Sequence, residues 1–416
     1  MRRLAILGAV VVLLLGGGIY LLFLRGGDDA PVVEAGSRFG DDRGSGSGGT
    51  LMDTLAPVLG ARVRAVRGGA DPAAPSADDL ARAPQTAVAG LFMVGFRGTD
   101  TSAEFFERLK ARGYGGVLLT DANYAEPQQL SALTEALQRT ARDAGHPAPV
   151  VAASQEGGDF NAFGNLAPTS QVDVGNARKG TREVALAAAR QLRALGVGMN
   201  LAPNADVAVA GGPAQGRAFS DRPARVVSAV KAYVSAYRQS KVVAAVGPFP
   251  GDGAASQDPA AGPAPVGLSL DELRKSDMAP FEAIATGGRA APAIQMSNAI
   301  YAAYDSVTPA TLLPDAVEEL RDRIGFEGAI VSADLVATTA TTGGSVGEAA
   351  IEALKAGIDL LIVPGGRAQQ DEAYRAVVAA VRSRKISPER VADALARVAK
   401  LRALTRDSRD PLRPGE

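Results

Sequence analysis

The sequence predicts an α/β protein: a single (β/α)8 barrel of the TIM type, preceded by an apolar N-terminal segment and a flexible linker. Three observations lead there. The 416 residues are 46% hydrophobic and 21% charged, enough to bury a large core. Beyond residue 85, short apolar or β-rich runs alternate strictly with stretches of helical spacing. Eight such pairs follow one another over some 320 residues, the count of a barrel, with a doubly wound open sheet as the alternative.

At the N-terminus, the stretch from Leu4 to Leu24 (LAILGAVVVLLLGGGIYLLFL) carries no charge. As a helix it is long enough to cross a hydrocarbon core about 30 Å thick. Arg2 and Arg3 precede it, and Arg25 is soon followed by Asp28 and Asp29, so the positive-inside rule sets the C-terminal bulk outside the cytoplasm. Residues 1–25 are therefore expected to be a single-pass membrane anchor, with secretion after signal cleavage as the alternative. Residues 26–85 are a low-complexity linker rich in Gly, Ser and Asp, with a short helix expected at 51–67. The barrel is expected over 86–408, leaving 409–416 as a tail.

Strands are expected at 88–96, 116–119, 149–153, 197–202, 242–247, 292–297, 328–332 and 358–363, where short apolar runs such as GVLL and IDLLIV occur. Helical spacing fills 102–112, 127–144, 180–195, 222–239, 269–286, 314–324 and 345–357. In a barrel the loops that follow the strands gather at one face and build the site. The informative positions are thus Arg97, Asp121, Ser154 to Asp159, Pro203 to Asp206, Asp252 to Asp258, Asn298, Asp334 and Gly365.

Composition removes several functions. A net charge of −1 supplies no overall basic field for nucleic acid. No cysteine and one histidine, His146, leave no thiolate or histidine cluster, so neither a metal nor a cofactor is expected. His146 precedes the third strand, at the end away from any barrel site.

Several linked motifs then resemble one family. LFMVGFRGT (91–99), SQEGG (154–158), LGVGMNLAPNADV (195–207), GRAFSDRP (216–223), FPGDG (249–253), LRDRIGFEGAIVSADL (320–335) and AGIDLLIVPG (356–365) occur in order with matching spacing. Together they resemble the barrel domain of glycoside hydrolase family 3, in the branch of β-N-acetylglucosaminidases acting on peptidoglycan fragments. The resemblance implies a retaining mechanism, which needs a carboxylate nucleophile and a proton donor about 5 to 5.5 Å apart.

Both implied positions are altered. The nucleophile, the first Asp of a Ser-Asp-Asp-Leu motif, corresponds to Ala333 in Ser332-Ala333-Asp334-Leu335, and a methyl group cannot attack an anomeric carbon. Aligned through Phe249-Pro250-Gly251, the Asp of the family's acid dyad remains as Asp258, but its His partner is Ala260. Sugar-binding positions differ too: Gly247-Pro248 replaces a Lys-His pair, Ser154 an Asp, Asp159 an Arg and Ala299 a His.

What remains as candidate ligand contacts is Glu156, Arg217, Asp206, Asp258 and Ser154. Arg217 can present its guanidinium fork to a ligand, or pair internally with Glu156 or Asp206. Asp334 and Asp252 are the substitute carboxylates; on a strand Asp334 should face away from Ala333, and both Asp252 and Asp258 also suit loop shaping. Tyr124, Phe160, Phe163 and Tyr301 are the aromatic candidates for stacking on a sugar. Two functions follow: a pseudo-glycosidase that binds an N-acetylglucosamine-containing cell-wall glycan or a protein partner, or an active exo-glycosidase using non-standard carboxylates.

Overall fold

Eight parallel strands close on themselves in chain order, each hydrogen-bonded to the next and the last to the first. They are β1 (Phe92–Gly95), β2 (Gly116–Leu119), β3 (Val150–Ala153), β4 (Met199–Asn200), β5 (Val243–Phe249), β6 (Ala293–Met296), β7 (Ala329–Asp334) and β8 (Leu360–Val363). The computed structural model describes residues 10–15, 18–23, 75–166, 168–177 and 180–406. The closed sheet is the (β/α)8 barrel the alternation predicts, not the open sheet.

Side chains alternate across each strand with period two. Met93, Leu118, Val150, Ala152, Val243, Ala245, Val331 and Ile362 fill the barrel interior. Their neighbours Val94, Val117, Val151, Ala244, Ile330 and Leu361 face the surrounding helices. Every strand is therefore buried on both sides, which is why each reads as a near-continuous apolar run.

The helices around the sheet include α1 (Phe105–Ala111), α2 (Pro127–Asp143), α3 (Thr181–Ala194), α4 (Pro223–Gln239), α5 (Ala279–Ala285), α6 (Pro314–Glu318), α7 (Val346–Ala356), α8 (Arg367–Arg382) and α9 (Pro388–Thr405). The bounds of α7 follow from its ends. The Ser345 hydroxyl accepts from the Glu348 N–H at 3.1 Å, the Glu348 carboxylate accepts from the Ser345 N–H at 2.8 Å, and Gly357 stops the helix at φ 112°.

Two helical expectations need correction. The stretch 269–286 is not continuous: a capped turn at Leu270–Lys275 ends, and α5 begins afresh at Ala279 with Pro280 in its first turn. Proline has no N–H to extend a preceding helix and its ring crowds the carbonyl one turn back. Likewise α6 ends at Glu318 and passes into a wide π turn, Glu319–Arg323. That turn carries Glu319, which accepts from Arg274 Nε at 2.7 Å and also from Arg323.

One end of the barrel is plugged. Val398 and Leu401 of α9 join the interior cluster. At the start of β4, a Cβ on Gly198 would stand 2.6 Å from the Thr405 Cβ, and Arg402 donates to the Tyr114 carbonyl at 3.2 Å. The strands' N-terminal end is thus covered, and the mouth lies at their C-terminal end.

Residues 10–23 belong to a separate unit, Met1–Gly49. There Val10–Leu15 and Gly18–Phe23 pair as antiparallel strands, which corrects the helix expected over Leu4–Leu24. Among the described residues no helix is long and apolar enough to cross a membrane. The rest of 1–25, the linker up to residue 74 with its helix at 51–67, and the tail 409–416 lie outside the described residues.

Candidate functional site

The loops after β3, β4, β5 and β6 bring most of the candidate residues together. Glu156 lies in a small antiparallel hairpin formed by Gln155–Gly157 and Phe160–Asn161. Its carboxylate accepts from Arg217 Nε at 3.0 Å and from Arg217 Nη2. Arg217 therefore makes the internal ion pair with Glu156 that was one of its two readings. Burial works against the guanidinium charge, but Glu156, with Asp206 and Asp252 beyond it, holds the pKa above its ordinary value. Phe160 lies 4.8 Å from the guanidinium carbon and is 39% exposed.

Asp206 and Asp252 form a second, deeper group. The buried Asp206 accepts from Asn204 Nδ2 at 2.8 Å and, through its other oxygen, from the Asp252 N–H at 2.6 Å. Asp252 Oδ1 accepts from the Ser297 hydroxyl and, at 3.0 Å, from the Tyr301 hydroxyl. Burial pushes the Asp206 carboxyl well up from its usual range, with the Asp252 charge adding to the effect. Asp252 is raised as well, mainly by burial, against the hydrogen bonds from Ser297 and Tyr301. Beneath this loop lies Asp277, 3% exposed and pushed up to about 6 by burial. A Cβ on Gly251 would meet the Asp277 Cβ at 2.7 Å, so the glycine lets the loop lie directly on the carboxyl.

Asp258 stands apart from this group. It is exposed, and its Oδ1 accepts from the Ala260 N–H at 2.9 Å while its carbonyl accepts from the Ala261 N–H at 3.0 Å. It closes a turn, the loop role open to it in the sequence. Ser154, partly exposed, continues the inward-facing series of β3. Gly247 continues that of β5, packed so that a Cβ there would meet the Gln295 Cβ at 2.9 Å.

At the end of β7 the pairing with β8 slips between Val331 and Asp334, which interrupts the alternation of Ala329 and Val331; Ala333, within that slip, has 6% of its surface exposed. Asp334 caps the next helix, Leu335–Thr342: its Oδ1 accepts from the Val336 N–H at 2.8 Å and the Ala337 N–H at 3.2 Å. Burial raises its pKa against those two hydrogen bonds. Asn298 ties this strand end to the β6 loop, donating to the Asp334 carbonyl at 3.2 Å and accepting from Thr338 Oγ1 at 2.7 Å.

Two contributors were not singled out by sequence reasoning: Ser297 and Asp277. Their signal was weak, since each is a common polar residue whose role depends on a partner remote in sequence. Of the four aromatics, Phe163 and Tyr301 are buried, Tyr124 packs on Phe163 at 5.3 Å between ring centres, and Phe160 is the most exposed. His146 bonds to the Lys110 carbonyl at 3.0 Å beside Gly113, near the start of β2 and away from the mouth.

Comparison with known proteins gives a consistent result. The family profile described as Glycosyl hydrolase family 3 N terminal domain matches residues 85–401. A curated Beta-hexosaminidase of Alkalilimnicola ehrlichii is 31% identical over 286 residues, covering 66% of this chain and 80% of that protein. The glycoside hydrolase family 3 β-N-acetylglucosaminidase of Paenibacillus sp. str. FPU-7 superposes with a TM-score of 0.73 at 28% identity, over 77% of this chain and 62% of that one. The β-N-acetylhexosaminidase of Beutenbergia cavernae gives a TM-score of 0.70 at 26% identity, over 77% of this chain and 98% of the other.

Proposed function

The chain belongs to the glycosyl hydrolase family 3 N-terminal domain family, and from that premise we propose that it is a pseudo-glycosidase: its mouth binds an N-acetylglucosamine-containing cell-wall glycan and leaves it intact. The observation that carries this reading is the end of β7. Ala333 offers only a methyl, while the neighbouring carboxylate of Asp334 is engaged by two helix N–H groups. Two further features support it. Gly247, where the resemblance implies a lysine, has Gln295 packed against it, and Ala260 carries no proton to donate.

Binding is assigned to the hairpin after β3, with Phe160 as the platform for the apolar face of a sugar and the Glu156–Arg217 pair holding its ring in place. The glycan chemistry is taken from the relatives, which are named for hexosaminidase or N-acetylglucosaminidase activity. On the uncharged Leu4–Leu24 run and its flanking charges, we assign the barrel to the extracytoplasmic side, retained at the membrane or released.

The test incubates the purified protein with a chromogenic N-acetylglucosaminide and with muropeptides, and measures muropeptide binding by calorimetry. The expected result is no turnover, with binding that Phe160→Ala weakens by about tenfold or more, as for loss of an aromatic anchor. Turnover that Asp252→Asn or Asp334→Asn abolishes overturns the proposal in favour of an active exo-glycosidase. One observation favours that second reading: burial keeps the Asp252 carboxyl protonated to higher pH, as a donor requires. Absence of both turnover and glycan binding leaves a protein partner as the occupant.

A further inference from the structure

The net charge of −1 conceals a sorting of charge along the barrel axis. Among the described residues, the connections at the mouth expose Asp121, Glu126, Asp159, Asp221, Asp258 and Asp305 against Arg97 and Arg222. The opposite end exposes Arg142, Arg289, Arg384, Lys385 and Lys400, none in an ion pair with a described residue, together with the acidic Asp143, Asp322, Glu327, Glu389 and Asp393. Helix dipoles favour basic side chains near helix C-termini, and Arg142 is of that kind. Arg289, Arg384 and Lys385 lie instead in the turns that follow α5 and α8. Lys400 lies on α9, the helix that crosses this end, and four residues further on the same face Leu404 is 51% exposed. An exposed apolar side chain beside unpaired basic ones is the composition of a face that can rest on anionic headgroups.

We infer that the barrel end covered by α9 docks on an anionic lipid surface through Arg289, Arg384, Lys385, Lys400 and Leu404, turning the acidic mouth away from it. A short helix, Ala77–Arg82, packs on α9 at this end. The acidic mouth connections repel the same surface and set the polarity. This inference is independent of what the mouth binds.

The test uses the full chain, which has no cysteine, so that one introduced cysteine carries a fluorescent probe at a single place. The probe is attached in Leu404→Cys, at the proposed face, or in Val307→Cys, on an exposed mouth loop. Each is mixed with vesicles rich in phosphatidylglycerol, or of phosphatidylcholine alone, that carry a quencher on the headgroup. Because orientation is read rather than binding alone, retention by the N-terminal run does not decide the outcome. The expected result is quenching at position 404 several-fold stronger than at 307, only with the anionic lipid. It should be lost in high salt and fall about tenfold or more in a variant combining R289E, R384E, K385E and K400E. Equal quenching at both positions, indifference to lipid charge, or displacement from vesicles by a soluble polyanion such as heparin at equal charge concentration would overturn the inference. Unchanged circular dichroism and melting of the charge-reversed variant establish that it folds.

Discussion

Replacing Asp277 by asparagine is expected to stabilise the protein at neutral pH, although it alters a buried residue beneath the candidate site. Burial raises the Asp277 carboxyl from 3.8 to about 6. Between those values the folded state binds a proton that the unfolded state has released. Its contribution to stability is therefore complete below the unfolded pKa and is lost as pH rises through about 6. A shift of roughly two units corresponds to about 3 kcal/mol. For a barrel of about 320 residues the unfolding entropy is roughly 0.7 kcal/mol/K, so this amounts to about 4 °C in Tm. Asparagine has the same shape and no charge to desolvate. Its melting temperature should exceed that of the parent by about 3 to 4 °C at pH 7.5, and the two should converge at pH 4. Thermal melts followed by circular dichroism at the two pH values measure this. A difference that stays constant with pH, or a variant less stable at pH 7.5, would refute the electrostatic account and assign the effect to packing.

Asp359, with none of its side chain exposed, accepts from Arg321 at 2.7 Å, Arg390 at 2.9 Å and the Ile330 N–H at 2.9 Å. Asp359→Ala should cost about 3 kcal/mol in urea unfolding, at the lower end for a broken buried pair because both arginines keep some contact with water. Asp334→Ala removes the cap of the helix after β7 and should cost about 1 kcal/mol, with no change in muropeptide binding. At Gly253 a Cβ would stand 1.9 Å from the Val207 carbonyl oxygen, so Gly253→Ala should part the loops after β4 and β5. Hydrogen exchange of residues 250–262 should then quicken markedly while exchange in β1 and β8 stays slow.

The barrel was legible because its rule is local. Eight apolar runs at regular spacing require a buried sheet, and the observed strands lie at the eight expected places. Boundaries failed where local chemistry overrode spacing: Pro280 breaks 269–286, and a π turn ends 314–324. Residues 10–15 and 18–23 follow the apolar composition expected of them but pair as strands. In the site, Glu156, Asp206 and Asp252 could be named because each follows a strand, and Arg217 because it lies in the GRAFSDRP stretch that carries the family resemblance. Their division into an outer ion pair and an inner carboxyl group depends on side-chain distances across loops that are remote in sequence.

By itself the sequence determined the architecture, the strand ends after which the candidate residues gather, and the absence of ionisable groups at Ala333 and Ala260. Only the tertiary structure decided what the remaining charges do. Asp334 is committed to a helix terminus, Asp258 to a turn, Glu156 to Arg217, Asp206 to the Asp252 N–H, and Asp252 to Ser297 and Tyr301. It also placed most of the exposed loop carboxylates named at the mouth and a set of unpaired bases at the opposite end. The physical reason is the same throughout: composition and periodicity are properties of the chain, whereas a carboxyl group's pKa, partner and reach depend on which segments the fold brings within a few ångströms of it.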